Sequence, residues 1–296
     1  METNKIYNMD CLKGMKQLPN ESVDMILCDL PYGVLNKSNP KSRWDVVIPF
    51  DKLWEQYERI IKPNGAIVLT AQGLFSAKLM LSNEKLWRYN LVWKKGNRTT
   101  GFLNCNRQPL RNHEDILIFS KKQTKYNPQM EIGEKNHKRG FGIPTNNVYG
   151  KYKMKETTMS NEKYPLSILD FSKGHKGFFH PTEKPVALFE YLIKTYSDEG
   201  DLILDNCMGS GTTAVACIQT GRNFIGYETD EDHFQTAVGR IQSAKSQTQL
   251  SNESCPNGEF NMGLEVPTSS PPKLSPTEIT SPNPNIKRNL RYRLAG

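Results

Sequence analysis

Short apolar runs punctuate the chain at residues 5–8, 23–28, 66–70, 89–93, 115–120, 202–205 and 223–227. Runs of this length, bounded by polar and turn residues, read as buried strands. Between them the apolar positions change to helical spacing. Leu53, Tyr57, Ile60 and Ile61 precede a Pro63-Asn64-Gly65 turn, and Phe75, Leu79 and Met80 mark a second helix. Pro185, at a first-turn position, opens a third helix whose apolar face is Val186, Leu188, Phe189, Leu192 and Ile193. Residues 213–219 and 233–241 read as two more. Alternation of strand and helix predicts an α/β domain, with a mostly parallel sheet covered by helices on both faces.

Two stretches break this rhythm. Residues 122–178 are polar, basic and poor in periodicity, which predicts an insert at one rim of the sheet. After about residue 243, Ser, Pro, Asn, Thr and Gln dominate, ending in a basic patch of Lys287, Arg288, Arg291 and Arg293. A segment of that composition buries too little apolar surface to offset its ordering entropy and is expected to be a disordered tail. The expected organisation is a domain over 1–243, containing the insert at 121–178, and a tail over 244–296.

Composition adds a partner class. The 296 residues carry a net charge of +8, and 36% of them are hydrophobic. Residues 121–155 concentrate nine Lys or Arg against two Glu, interleaved with Tyr126, Phe141, Tyr149 and Tyr152. Basic residues among aromatics suit contact with phosphates and bases, although a solvated, flexible insert has the same signature. No apolar run is long enough to span a bilayer, and the first residues lack a signal peptide's charged and apolar blocks, so the expectation is a soluble, intracellular protein and no membrane partner. The six cysteines contain no CxxC pair and the five histidines are scattered, which argues against a disulfide framework or a metal site.

Two constellations carry chemistry. In the first, the strand Leu202-Ile203-Leu204-Asp205 runs into Asn206-Cys207-Met208-Gly209-Ser210-Gly211-Thr212-Thr213. A strand ending in a carboxylate, then a glycine-rich turn into a helix, lets backbone approach a ligand closely and suits a nucleotide. The spacing is neither GxGxxG nor that of a phosphate-binding loop. The next strand ends in Glu228, where an acid can accept from ribose hydroxyls. The second constellation is Asp29-Leu30-Pro31-Tyr32-Gly33 at the tip of the 23–28 strand. An acid, a rigid proline and an aromatic ring together suit an amino group on a planar base.

Asp29-Leu30-Pro31-Tyr32 resembles the Asp/Asn/Ser-Pro-Pro-Tyr motif of amino-group DNA methyltransferases. Asp205 to Gly211 is similar to their Asp-x-Phe-x-Gly-Ser-Gly motif, and His180-Pro181-Thr182-Glu183-Lys184-Pro185 to their His-Pro-Thr-x-Lys-Pro segment. Asn8-Met9-Asp10-Cys11-Leu12 resembles the family's opening. The order of catalytic motif, insert and cofactor motif is that of the β class, and the resemblance covers roughly residues 1–241. Leu30 departs from the usual Pro, and Cys207 and Met208 stand near where an aromatic is usual.

The resemblance implies a Rossmann-like fold with a target-recognition insert, S-adenosyl-L-methionine as cofactor and double-stranded DNA as partner, with the enzyme often a homodimer and located with the DNA. It implies direct methyl transfer to an exocyclic amine, with Asp29 and the Leu30 carbonyl accepting from the amine, Pro31 fixing the loop and Tyr32 holding the flipped base. Asp10 and Cys11, with Asn206 and Thr212, fall to the cofactor. Asp205, Gly209 and Gly211 fall to its methionine end, Glu228 to its ribose, and Thr182 and Lys184 to its carboxylate. Lys184 also reads as a surface charge at a helix start. Asp at position 29 points to N6 of adenine. N4 of cytosine, an RNA or protein amide substrate, and a catalytically dead DNA-binding protein stay open. For sequence readout, Arg139, Asn146 and Asn147 are candidates, and Asn97-Arg98-Thr99-Thr100-Gly101 either meets DNA or closes a loop.

Overall fold

In the computed structural model the described residues are 1–35, 42–135, 160–172 and 183–253, all within the unit Met1–Cys255. An eight-stranded sheet organises them. Its strands are β1 (Lys5–Asn8), β2 (Val23–Asp29), β3 (Ile61–Ala71), β4 (Trp87–Lys94), β5 (His113–Phe119), β8 (Ile168–Asp170), β9 (Leu202–Asp205) and β10 (Asn223–Glu228). Their order is β1-β10-β9-β2-β3-β5-β4-β8. The β1, β10, β9, β2 and β3 strands are mutually parallel, whereas β5 runs antiparallel to both β3 and β4. The sheet is therefore mostly parallel with a reversed pair, and strand β8, from the expected insert, extends its edge parallel to β4. A further short hairpin pairs β6 (Glu131–Ile132) with β7 (Glu162–Lys163).

Pleating sends alternate residues of each central strand into two cores. One face gathers Ile26, Cys28, Ile67, Leu69, Leu117 and Phe119 under α1 (Cys11–Met15), α2 (Phe50–Ile60) and α3 (Leu74–Ser82). The other gathers Met25, Leu27, Ala66, Val68, Ile116 and Ile118 under α4 (Val186–Tyr196), α5 (Thr212–Gln219) and α6 (Glu231–Glu253). Leu53, Trp54, Tyr57 and Ile60 form the buried stripe of α2, and Leu188, Phe189, Leu192, Ile193 and Tyr196 that of α4. Because both faces are covered, the central strands read as continuous apolar runs.

Several boundaries move. Pro185 caps α4 from outside with an extended backbone instead of sitting in its first turn. Helix α6 runs to Glu253, past the change of composition near residue 243, because its inward positions Ala237, Ile241 and Ala244 pack on the sheet while its other faces tolerate polar residues. The tail beyond it and the basic 136–159 stretch, with Arg139, Asn146 and Asn147, lie outside the described residues. No helix among the described residues is long and apolar enough to cross a membrane.

The chain leaves β9 through α5 toward β10 on one side, and leaves β2 through α2 toward β3 on the other, although β9 and β2 are neighbours. The connections thus diverge between these two strands. In open parallel sheets a ligand crevice forms outside the carboxyl ends of strands at such a point.

Candidate active site

A cavity of about 440 Å³ opens at this divergence. From the β2 side come Asp29 and Pro31; from the β9 side come Asp205, Asn206, Cys207, Gly209, Ser210 and Thr212; Glu228 arrives from β10. Asp10 and Cys11 at the start of α1, together with Lys184, complete the expected part of the lining.

The β9 side is shaped by its own main chain. Gly209 and Gly211 both take positive φ, +53° and +85°. A Cβ on Gly211 would lie 3.0 Å from that of Ala237, so a side chain there meets both backbone strain and α6. Gly211 accordingly packs against α6 at the back of the turn. The Asp205 carboxylate accepts from the Cys207 amide at 3.0 Å and from the Thr213 hydroxyl. Burial pushes its carboxyl up to about 6, with Thr213 and the Cys207 amide working against that shift. Glu228 accepts from the amides of Gly209 at 2.7 Å, Thr229 at 2.8 Å and Asp230 at 2.9 Å, so it staples the turn to the end of β10. Asp10 caps α1 by accepting from the Lys13 amide at 3.0 Å.

In place of an aromatic, Cys207 sits among thiols. The first cause of the lowered Cys11 thiol is a bond to Cys207, while burial pushes Cys28 up to about 12. Tyr57 of α2 donates to the Asn206 side chain at 2.5 Å.

The β2 side is assembled differently. Asp29 Oδ2 accepts from Lys184 Nζ at 2.5 Å. Asp29 Oδ1 accepts from Thr70, its register partner on β3, and lies 3.0 Å from the Tyr32 hydroxyl. Lys184 also lies 3.3 Å from Glu114 of β5, whose other oxygen pairs with Lys95. Asp45 holds the loop by accepting from the amides of Gly33 at 2.8 Å and Leu35 at 2.7 Å.

Burial changes one expectation here. Lys184, only 5% exposed at its side chain, is not a surface charge; its ammonium meets the Asp29 carboxylate. Burial opposes its charge, but Asp29 and Glu114 overcome that and hold Lys184 above its ordinary value. Tyr32 leans its ring on Phe75, centroids 4.9 Å apart, and offers Asp29 its hydroxyl. Burial, then the charges of Asp29 and Glu114, keep that phenol protonated, well above its usual range. Leu30 is buried in the core, which explains why an apolar side chain replaces Pro there. Thr182 lies outside the described residues.

Residues the motifs did not announce complete the site. Arg43, Trp44, Val46, Val47 and Ile48 line one wall with His233, whose ring meets Trp44 edge-on at 6.0 Å. Arg240 of α6 donates to Ser210 and pairs with Glu183 at 2.8 Å, tying the glycine turn to the residue beside Lys184. Thr70 had one signal, a polar residue at the end of an otherwise apolar run; Glu114, in the polar start of β5, and the 43–48 segment had none. Asn97 to Gly101 closes a loop between β4 and β5, sealed by a Thr100–Arg111 bridge. Its tip exposes Phe102 (76%) and Leu103 (95%). Among the described residues no group of three or more His, Cys, Asp or Glu side chains is placed to hold a metal ion.

An acid-bearing strand tip facing a glycine turn across a switch-point cavity defines an α/β methyltransferase of the amino-group type. The chain belongs to the DNA methylase family of N6 and N4 methyltransferases, whose family model matches residues 23–239. It is 27% identical to the type II methyltransferase M.HpaI of Haemophilus parainfluenzae over 243 residues, 79% of this chain and 73% of that one. It is equally 27% identical to type II methyltransferase M.HinfI of Haemophilus influenzae over 300 residues, covering 92% and 74%. Among solved structures it resembles the M1.HpyAVI–SAM complex at 26% identity and a TM-score of 0.54, over 80% of this chain and 98% of that one. The cytosine-N4-specific PvuII DNA methyltransferase shares the fold, with a TM-score of 0.58 over 83% and 93% at 14% identity.

Proposed function

We propose that this DNA methyltransferase transfers a methyl group from S-adenosyl-L-methionine to N6 of an adenine flipped out of double-stranded DNA. The observation that carries the reading is the meeting of Asp29 and the Asp205 turn, distant in sequence, in the lining of one cavity.

The residues present fit the cofactor. A cavity of about 440 Å³ is in the usual range for such a ligand. Glu228 and Asp10 offer acceptors to a ribose and an adenine, Gly209 exposes main chain, and Asp205 offers negative charge to a cationic methionine end. When bound, the cofactor supplies an electrophilic methyl group.

The chain's own residues do the rest. Asp29 accepts one N–H of the target amine and the Leu30 carbonyl a second, which draws the nitrogen toward pyramidal geometry and localises its lone pair. Pro31 and Asp45 keep that loop fixed, so the amine would be held in place, and positioning would supply much of the acceleration. Asp29 is also the nearest base for the proton the amine sheds. An acid at position 29 supports adenine over cytosine through the motif it resembles. The net charge of +8 and the exposed Phe102–Leu103 tip, flanked by Arg98, Arg107 and Arg111, support a polyanionic duplex as partner.

The test is to incubate the protein with unmethylated genomic DNA and S-adenosyl-L-methionine, digest to nucleosides and analyse by mass spectrometry. N6-methyladenine is expected. N4-methylcytosine overturns the base assignment, and no methylated nucleoside overturns the DNA activity and turns the search to RNA or protein amides.

A further inference from the structure

Behind Asp29 runs a row of buried charges, and apart from Asp29 itself the methyl transfer just described leaves them without a task. Lys95, Glu114, Lys184 and Asp29 alternate in sign, and the first three have side chains only 10%, 11% and 5% exposed. They come from four places in the fold: the residue after β4, the β5 strand, the residues before α4, and the tip of β2. Buried ion pairs return little net stability, because desolvation offsets their attraction. Their return here lies in position.

A carboxylate has two oxygens and about four acceptor sites. On Asp29, Oδ1 is met by the Thr70 and Tyr32 hydroxyls, and Oδ2 by Lys184. Tyr32 has one proton, and Thr70 Oγ1 at 3.1 Å and Glu114 at 3.5 Å also lie within its reach. One site on Oδ2 is left over. Lys184 is held from the far side by Glu114, and Glu114 is itself held by Lys95, so the ammonium is braced between two carboxylates.

We propose that Lys184 is a positioning residue for methyl transfer: anchored through Glu114 to Lys95, it clamps Asp29 so that a single acceptor position on Oδ2 faces the target amine. It is not a ligand of the cofactor. This inference rests on the reading of Asp29 as the carboxylate that receives the amine.

The experiment compares Lys184→Met, Lys184→Arg, Glu114→Gln and Asp29→Ala in the full chain. It measures the single-turnover methylation rate at saturating cofactor and DNA, and the S-adenosyl-L-methionine Kd by calorimetry. Lys184→Met is expected to slow transfer about a hundredfold with cofactor Kd changed less than about threefold, and Lys184→Arg to recover about tenfold of the loss. Glu114→Gln keeps shape and fold, so it carries the test even should Lys184→Met not fold. It is expected to slow transfer about tenfold with unchanged cofactor Kd. A wild-type rate in Glu114→Gln, or a raised cofactor Kd with an intact saturated rate in a Lys184 variant, overturns the clamp. Sustained turnover by Asp29→Ala overturns the underlying reading instead.

Discussion

On the β9 side of the cleft, Asp205 and Glu228 are held mainly by main-chain amides and a hydroxyl from the turn they border. On the β2 side, Asp29 is held by side chains from the loop after β2, from β3 and from the segment before α4, with β5 and the residue after β4 supporting behind. Under the proposed function the difference matches two tasks. The cofactor side would work mainly through backbone that any sequence with the right glycines can supply. A reacting amine needs one acceptor at one angle, and only side chains braced from several directions supply that.

Substitutions can break this contrast or sharpen it. Asp29→Ala should lower the methylation rate about a thousandfold or more while leaving cofactor affinity within about threefold, by tritium transfer and calorimetry. A parallel loss of both would erase the division between the sides. Asp205→Asn should do the reverse, weakening cofactor binding about tenfold or more. It also has a pH signature. The folded-state carboxyl, at about 6, lies above its ordinary 3.8, so ionisation opposes folding. The penalty is absent below pH 3.8, grows as pH rises through 6 and is constant beyond, reaching about 3 kcal/mol. Denaturant titrations should therefore show Asp205→Asn gaining on the wild type from about pH 4 to pH 7 and no further. A flat difference would mean the acid is solvated in the fold. Gly211→Ala should cost about 1–2 kcal/mol in the same titrations, from strain at φ +85° and the Ala237 contact. Smallest, Phe102→Ser with Leu103→Ser should change stability by less than about 0.5 kcal/mol but raise the KM for DNA several-fold. An unchanged KM would remove the loop tip from the DNA-facing surface.

What the sequence disclosed follows the same division. Strands β1 and β9 have the bounds their apolar runs predict, and the Asp205–Gly211 turn is legible because its residues are consecutive. The divergence of connections at β9 and β2 explains why two motifs so far apart in the chain share a cavity. Glu114 and Lys95 were hidden in a strand and its neighbour, where nothing local distinguishes a paired buried charge from an edge residue. Lys184 was found but its pairing with Asp29 was not, since a motif names a residue without saying what its long side chain reaches. The 43–48 wall has no period at all.

The pairing of β8 with β4 has a consequence for how such a protein can change. The variable segment leaves the sheet after β5, and the chain rejoins the fold by laying three residues along Val92–Lys94 before continuing to Lys184. Near its start, Lys122, Lys125 and Asn127 also tie it to Pro63, Asn64, Asp198, Asp201 and Thr195. A replacement segment of different length that still ended in a strand able to pair there would deliver Lys184 to the same place. The intervening segment could then be exchanged as a cassette without disturbing the chemistry, and innovation in what is recognised would carry little risk for what is done.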